Sequence, residues 1–444
     1  MNGGVAVLDV GKTNAKLIAF ASDGKVLDQS RHPQRVVSEN DLRVLDVEGI
    51  YAWLETALAE LRGRHDLAGL IVSTHGCACA LIGADNALAA PILDYEHEIP
   101  AAANAEFARV APSFSETYTP DLPGGLNAGR AIFFQEWADP TLASRTRHIL
   151  TYPQYWSWRL SGALASEVSF LGCHTHLWNP LAGRFSSLAV KRGWADKFPP
   201  FVPAGALVGE RDGLGVHNGV HDSNAAFFYY KSLGFSHFTL ISTGTWVIIL
   251  NPDCPLDRLD PARDMLANVT VDGEPVATIR FMGGREYDVI SGQARQEVSE
   301  DMLRRAIARD QMALPSFAAG GPFPARAGRL VGPAPESAAE RAAIATLYVA
   351  MMTAQSLDLV SSSGDIIVDG GLALNRALCA TLAALRPQQS LYRNTNAEGT
   401  AMGAAALAFR ALGRTSVFPR DVGKVEPWAL ADLAGYYARW RQRV

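Results

Sequence analysis

Two stretches about half a chain apart share one shape, and that shape restricts the fold more than any other feature of the sequence. "VAVLDVGKTNAKLIAF" (Val5 to Phe20) and "FTLISTGTWVIIL" (Phe238 to Leu250) are each an apolar run, a glycine-centred polar turn and a second apolar run. Runs rich in β-branched and aromatic residues on either side of such a turn predict a β-hairpin. The first hairpin contains Gly11-Lys12-Thr13, which is how a nucleotide-binding P-loop ends. A P-loop also needs a glycine five positions earlier and a helix directly afterwards. Here the earlier position is Ala6, and the residues after Thr13 read as a strand, the turn "SDGK" and a third extended run, "VLDQSR". That excludes the P-loop. Two readings of the turn stand: an anion-binding nest of successive backbone N–H groups, or an ordinary hairpin that uses Gly11 for its geometry and exposes Lys12.

The chain has 444 residues, 48% hydrophobic and 19% charged, which suffices for more than one large core. With one hairpin opening each half, we expect an N-terminal domain over 1–233 and a C-terminal domain over 234–444. A formal net charge of −5 offers no basic excess to neutralise a nucleic-acid backbone, so a small-molecule partner is expected and nucleic acid is not. "MNGGVAVLDV" lacks a charged leader region and there is no run of 18 apolar residues, so no membrane partner and a cytoplasmic location are expected. Five scattered cysteines read as reduced. Cys77-Ala78-Cys79 and Cys173-His174-Thr175-His176 would act as metal ligands only if folding joined them; otherwise they are small buried residues.

A third glycine element is "DIIVDGGLALNRALCATLAAL" (Asp365 to Leu385), a buried strand, a Gly pair and an amphipathic helix. Backbone at such a junction can approach a flat ligand closely. "NTNAEGTAMGAAALAFRALG" follows as an Ala-rich helix with capping residues ahead of it and an end near Gly413. In "GVHNGVHDSNAAFFYY" (Gly215 to Tyr230), Asp222 stands at the mouth of a helix. It is either an N-cap or a general base that accepts a proton from a substrate hydroxyl. "YPQYWSWRL" gathers Tyr152, Tyr155, Trp156 and Trp158, read as the core face of a helix, and "SFAAGGPFPARAG" (Ser316 to Gly328) reads as a surface loop.

Taken together, these stretches resemble the FGGY carbohydrate kinases, of the superfamily of actin, hexokinase and glycerol kinase. "LDVGKTNAK" is similar to the family's first phosphate motif, "STGTW" to the second, "VDGGLALNRAL" to the adenosine segment and "GVHDSNAAF" to the segment with the catalytic Asp. "LPGGLNAGRAIFFQEW", "YPQYWSWRLSG" and "EVSFLGCHTHLWNP" look most like the branch of rhamnulokinase and L-fuculose kinase. The resemblance implies an α/β, two-domain actin-like ATPase fold (a duplicated ribonuclease H-like unit) with a cleft between domains. It implies ATP and Mg²⁺ as cofactors, a sugar substrate, and homodimers, which are common in the family.

By the same resemblance Asp222 is the catalytic base and Asp9 helps hold Mg²⁺. Gly11, Lys12, Thr13 and Asn14 would clasp phosphate with Thr243, Gly244 and Thr245, while Gly370, Gly371 and Asn375 border the adenosine. The reaction implied is ATP-dependent phosphorylation of a ketose or deoxyketose such as L-fuculose or L-rhamnulose. Alternatives on the same fold are a kinase of ribulose, xylulose, erythrulose or another polyol, or a non-catalytic sugar or nucleotide sensor. The departures lie on the sugar side. "STHGCACALIG" carries Ser73 and Ala78 where rhamnulokinases have two Asp residues, and "LDYEHE" replaces the usual polar contacts. His75, Asp94, Glu96 and His174 are the candidate sugar contacts; for each, a structural or solvated role is the alternative.

Overall fold

The computed structural model describes residues 3–293, 297–396, 398–414, 418 and 422–444. The chain divides into two compact units. The first comprises Met1–Gly234, Ala267–Pro275 and Thr400–Pro419; the second comprises Phe235–Leu266, Val276–Gly399 and Arg420–Val444.

The first unit is organised by a mixed sheet. Among the described residues its strands run in the order Leu207–Arg211, Leu214–His217, Leu67–Thr74, Gly4–Val10, Asn14–Phe20 and Val26–Pro33, with Val220–His221 also on Leu67–Thr74. The opening stretch is therefore a hairpin, with Val5 opposite Phe20 and Val10 opposite Ala15. Val5, Val7, Leu8, Leu17 and Ile18 are all fully buried, because helices cover the sheet and both faces of these strands need apolar side chains. Parallel pairing then sets three strand ends level: Val10 is opposite Thr74, and Thr74 is opposite His221.

In the second unit the strands run Pro275–Phe281, Val247–Asn251, Phe238–Thr243, Asp365–Gly370, Leu391–Asn394 and Val422–Lys424. The second hairpin pairs Thr243 with Val247, and Thr243 lies parallel to Gly370. Both glycine elements thus leave the sheet at the same edge. Helix Ala338–Leu359 is long and apolar enough to cross a membrane by composition, yet 83% of its apolar window is buried, as a core helix requires.

Some sequence expectations are corrected. The simple split at 233/234 fails because 267–275 and 400–419 join the first unit. Most of helix Gly399–Ala411, the Ala-rich element, packs there: a Cβ on Gly403 would overlap the carbonyl of Ala225, and Leu407 sits against Gly205. An apolar helical pattern states that a helix will be buried, not in which core. Ala397, in the expected capping stretch, lies outside the described residues. Ser316–Gly328 is an irregular and mostly exposed or half-buried loop as expected, tied down by Glu286, which accepts from Phe317 N (2.8 Å) and Ala318 N (3.2 Å), and by Asp264, which accepts from Gly321 N (3.0 Å). The aromatic stretch is core as expected: Tyr152, Tyr155 and Trp156 are fully buried.

Gly403 decides between two opposed effects. In an exposed helix Gly→Ala stabilises by about 1 kcal/mol, whereas forcing a methyl against backbone costs about 1–3 kcal/mol. Gly403→Ala is expected to lower the urea midpoint of unfolding; a raised midpoint would mean that the two helices are not in this contact.

Candidate active site

The register line Val10–Thr74–His221 places the next residues, Gly11, His75 and Asp222, at one edge of the first sheet. Ligands in open α/β sheets bind outside the carboxyl ends of the strands. The phosphate-like turn is closed by Gly11 N donating to Asn14 O (3.0 Å), and Asp9 sits just inside it, opposite Lys16 and Ser73.

Lys12 does not stand free for phosphate. Its ammonium pairs with the buried carboxylate of Asp94, lies 3.5 Å from Glu96 Oε2 and rests 4.2 Å above the Tyr95 ring. Arg43 completes the group, with Nε donating to Asp94 Oδ1 (3.2 Å) and its terminal nitrogen to Glu96 Oε2 (2.7 Å). Glu96 N also donates to Asp94 Oδ1 (2.7 Å). Burial alone would raise the Asp94 carboxyl; Lys12, the Glu96 N–H and Arg43 outweigh it and hold the group below its ordinary value. The structure thus joins Lys12, Asp94 and Glu96 and occupies both Asp94 oxygens within the protein, which is a positioning arrangement. Two cations face two carboxylates, so the cluster carries no spare positive charge.

His75 is buried, and burial, only partly offset by the Gly76 carbonyl and Asp222, lowers its basicity, so it is neutral near pH 7. Nδ1 faces Gly76 O at 2.7 Å and must carry the proton, which leaves Nε2 as an acceptor. No described residue bonds to that buried Nε2. The rings of Tyr95 (5.6 Å) and Tyr152 (5.2 Å) hold the imidazole in place, and the charges of Asp222, Lys12 and Asp94 all act on it.

Helix Asp222–Ser232 starts at Asp222, with His221 as the flanking residue. The Asp222 side chain is 31% exposed, and His221 Nε2 lies 3.2 Å from its Oδ1. Ser223 N (2.6 Å) and Ser223 Oγ (3.2 Å) donate to the same oxygen. Among the described residues its one backbone donor is thus the adjacent N–H, and Asp222 is not the N-cap that one sequence reading allowed. His174 Nδ1 donates to Leu126 O (2.9 Å), and Cys77 Sγ lies 4.0 Å from both of its ring nitrogens. Folding does bring the two Cys/His stretches together, but among the described residues no three metal-ligating side chains converge.

In the second unit, Thr243 Oγ1 donates to Asp369 O (2.6 Å) and accepts from Leu372 N (2.9 Å), which ties the hairpin turn to the Gly-Gly junction. Gly370 has φ of 86°, and a Cβ there would overlap Thr243 O. Gly244, Thr245, Gly284, Gly371, Asn375 and Trp428 line a recess of about 1370 Å³. Above Gly244 and Gly371 there is open space where any side chain would intrude. The walls therefore suit a flat ligand and backbone-bound phosphate. Asn375 caps helix Arg376–Leu385, accepting from Leu378 N (3.0 Å), and borders the recess as well. Sequence reasoning missed Gly284, where a Cβ would overlap Gly244 O; the Gly283-Gly284 pair after a strand was the available signal. It also missed Arg43 and Tyr95, which no local pattern marks.

Comparison with known proteins agrees with this geometry. Residues 235–416 match the model of the carbohydrate kinase FGGY C-terminal domain. A carbohydrate kinase from Novosphingobium aromaticivorans is 33% identical over 100% of this chain and 98% of its own, with a TM-score of 0.89. The chain belongs to the FGGY carbohydrate kinase family. It is an enzyme of the class that phosphorylates sugars, and FGGY kinases use ATP as phosphoryl donor. The two-domain α/β fold recurs in a ligand-bound xylulose kinase (14% identity, TM-score 0.81, 99% and 97% of the chains) and a gluconate kinase (14%, 0.80, 99% and 97%), both from Lactobacillus acidophilus. No curated protein matches the chain.

The Lys12–Asp94 pair yields a pH test. A carboxyl depressed in the folded state adds stability above its unfolded value, about 3.9, and that stability is lost as pH falls through the folded value. Asp94→Asn is expected to cost about 3 kcal/mol at pH 7, with the gap to wild type narrowing at pH 3 in urea unfolding; a gap independent of pH would refute the pairing.

Proposed function

We propose that this FGGY kinase phosphorylates a neutral ketose or deoxyketose of the L-fuculose or L-rhamnulose type, with Asp222 as general base and Mg-ATP as donor. The observation that carries the reading is the corner formed by Asp222 and the unpartnered His75 Nε2. The three stretches similar to the rhamnulokinase branch gather around it. Tyr152 packs on His75, Gly125 N donates to Tyr95 O (2.9 Å) and Asn127 Nδ2 to His174 O (2.8 Å). Charge favours a neutral substrate: Lys12 and Arg43 are already matched by Asp94 and Glu96, so this cluster holds no spare cation for the carboxylate of an aldonate.

Asp222 would take the proton of the attacking hydroxyl as its oxygen bonds to the γ-phosphorus and the bond to ADP breaks. His75 would accept a bond from a second sugar hydroxyl. His174, Asp94 and Glu96 would shape the pocket, Asp94 and Glu96 through Lys12. The turns Gly11–Asn14 and Thr243–Thr245 would offer backbone N–H groups to phosphate, and Gly370, Gly371 and Asn375 would border the adenosine. Mg²⁺ takes one or two carboxylates and completes its shell with phosphate and water. Asp9, at the end of its strand beside the turn, fits such a site, and the bound ion would neutralise charge on the transferring phosphoryl group.

Two measurements test this. Coupled ADP release is expected to respond to L-fuculose, L-rhamnulose or a related ketose and not to gluconate, and to fall roughly 10²–10⁴-fold in Asp222→Asn; retained sugar-dependent turnover in the variant would sink the base assignment. Gly371→Val, which has room for its side chain, is expected to fold normally and raise KM for ATP about tenfold or more while leaving KM for the sugar unchanged. An unaltered KM for ATP would remove the recess as the adenosine site.

A further inference from the structure

His221, Asn224 and Ser169 form a short chain of contacts behind Asp222. Glu167 anchors it, with Oε1 accepting from Ser169 N (2.8 Å) and Oε2 from Ser169 Oγ (2.6 Å). The carbonyl of Ser169 so fixed faces the side-chain amide of Asn224, whose Nδ2 donates to it at 3.2 Å. A carbonyl can only accept, so the atom facing it is the amide nitrogen. The same Nδ2 lies 2.9 Å from His221 Nδ1. It can donate there only if Nδ1 carries no proton, which puts the proton of a neutral imidazole on Nε2. Burial favours that neutral form. Nε2 is the atom 3.2 Å from Asp222 Oδ1. Space for it depends on Gly76, where a Cβ would come within 3.0 Å of Nε2.

We propose that His221 is a positioning residue for Asp222: its Nε2–H, on the tautomer selected by Asn224, lies 3.2 Å from Oδ1, holds that oxygen electrostatically and leaves Oδ2 to receive the substrate proton. The proposal rests on the reading of Asp222 as general base. Among the described residues, the hydrogen bonds of the carboxylate from Ser223 N and Oγ and its ion-pair contact with His221 all fall on Oδ1. A carboxylate held at one oxygen keeps a fixed plane, and its second oxygen stays in one direction as substrate arrives.

Three readouts separate positioning from a substrate contact and from a purely structural role. In His221→Leu, kcat is expected to fall about tenfold, as for loss of a polar group that orients a catalytic carboxylate, while KM for sugar and ATP stay within twofold. His221→Gln, whose amide nitrogen reaches the place of Nε2, is expected to recover most of kcat; His221→Asn, whose amide mimics Nδ1, is not. A raised sugar KM at unchanged kcat would make His221 a substrate contact and overturn the proposal, as would equal loss in the Gln and Asn variants. Independently of activity, ¹⁵N–¹H correlation spectra of the resting, histidine-labelled protein are expected to show His221 with its proton on Nε2, and a proton on Nδ1 would overturn it. Failure of Asp222→Asn to slow turnover is a separate result: it removes the base assignment, while the tautomer still reports whether the contact exists.

Discussion

Parallel strand pairing is the constraint on which the remaining structure depends. In the first unit it brings Val10, Thr74 and His221 level, so that a glycine turn, a buried histidine and a carboxylate leave the sheet side by side. In the second unit it sets Thr243 level with Gly370, so that the hairpin turn and the Gly-Gly junction face one recess. A slip of one residue in either sheet would turn every strand side chain to the opposite face and separate these groups. The close packing of the buried side chains on both faces of the strands opposes such a slip.

On this frame electrostatics decide what the edge can bind. Lys12 reads as a phosphate ligand when only its neighbours in sequence are considered. Its pairing with Asp94 and Glu96, themselves held by Arg43, cancels its charge. A neutral His75 next to this balanced cluster presents an acceptor without net charge. In the second unit the recess relies on missing side chains instead: Gly244 and Gly371 leave space, and Gly284 and Gly370 allow backbone to meet backbone.

Much of this was legible because the signals are local. The two hairpins, the strand before Gly370 and the helix after Asn375 follow from runs and turns within about 20 residues, and the aromatic stretch Tyr152–Trp158 was correctly read as core. The two hairpin turns and the Gly-Gly junction could be located for the same reason: close backbone approach demands glycine, and glycine is visible in a sequence. The partners of Lys12 were not legible, since Asp94 is 82 positions away and Arg43 belongs to another strand. Nor was the role of Asn224, whose meaning depends on which carbonyl its amide nitrogen faces.

The sequence by itself determined the elements, the glycine turns, the candidate base and the family resemblance, because backbone conformation and hydrophobic periodicity are written in neighbouring residues. Tertiary structure alone decided that 267–275 and 400–419 join the first unit, that Lys12 is neutralised, and that His221 and Asn224 stand behind Asp222. These outcomes turn on distances between residues far apart in the chain and on hydrogen-bond direction. Neither is set until the sheets have paired.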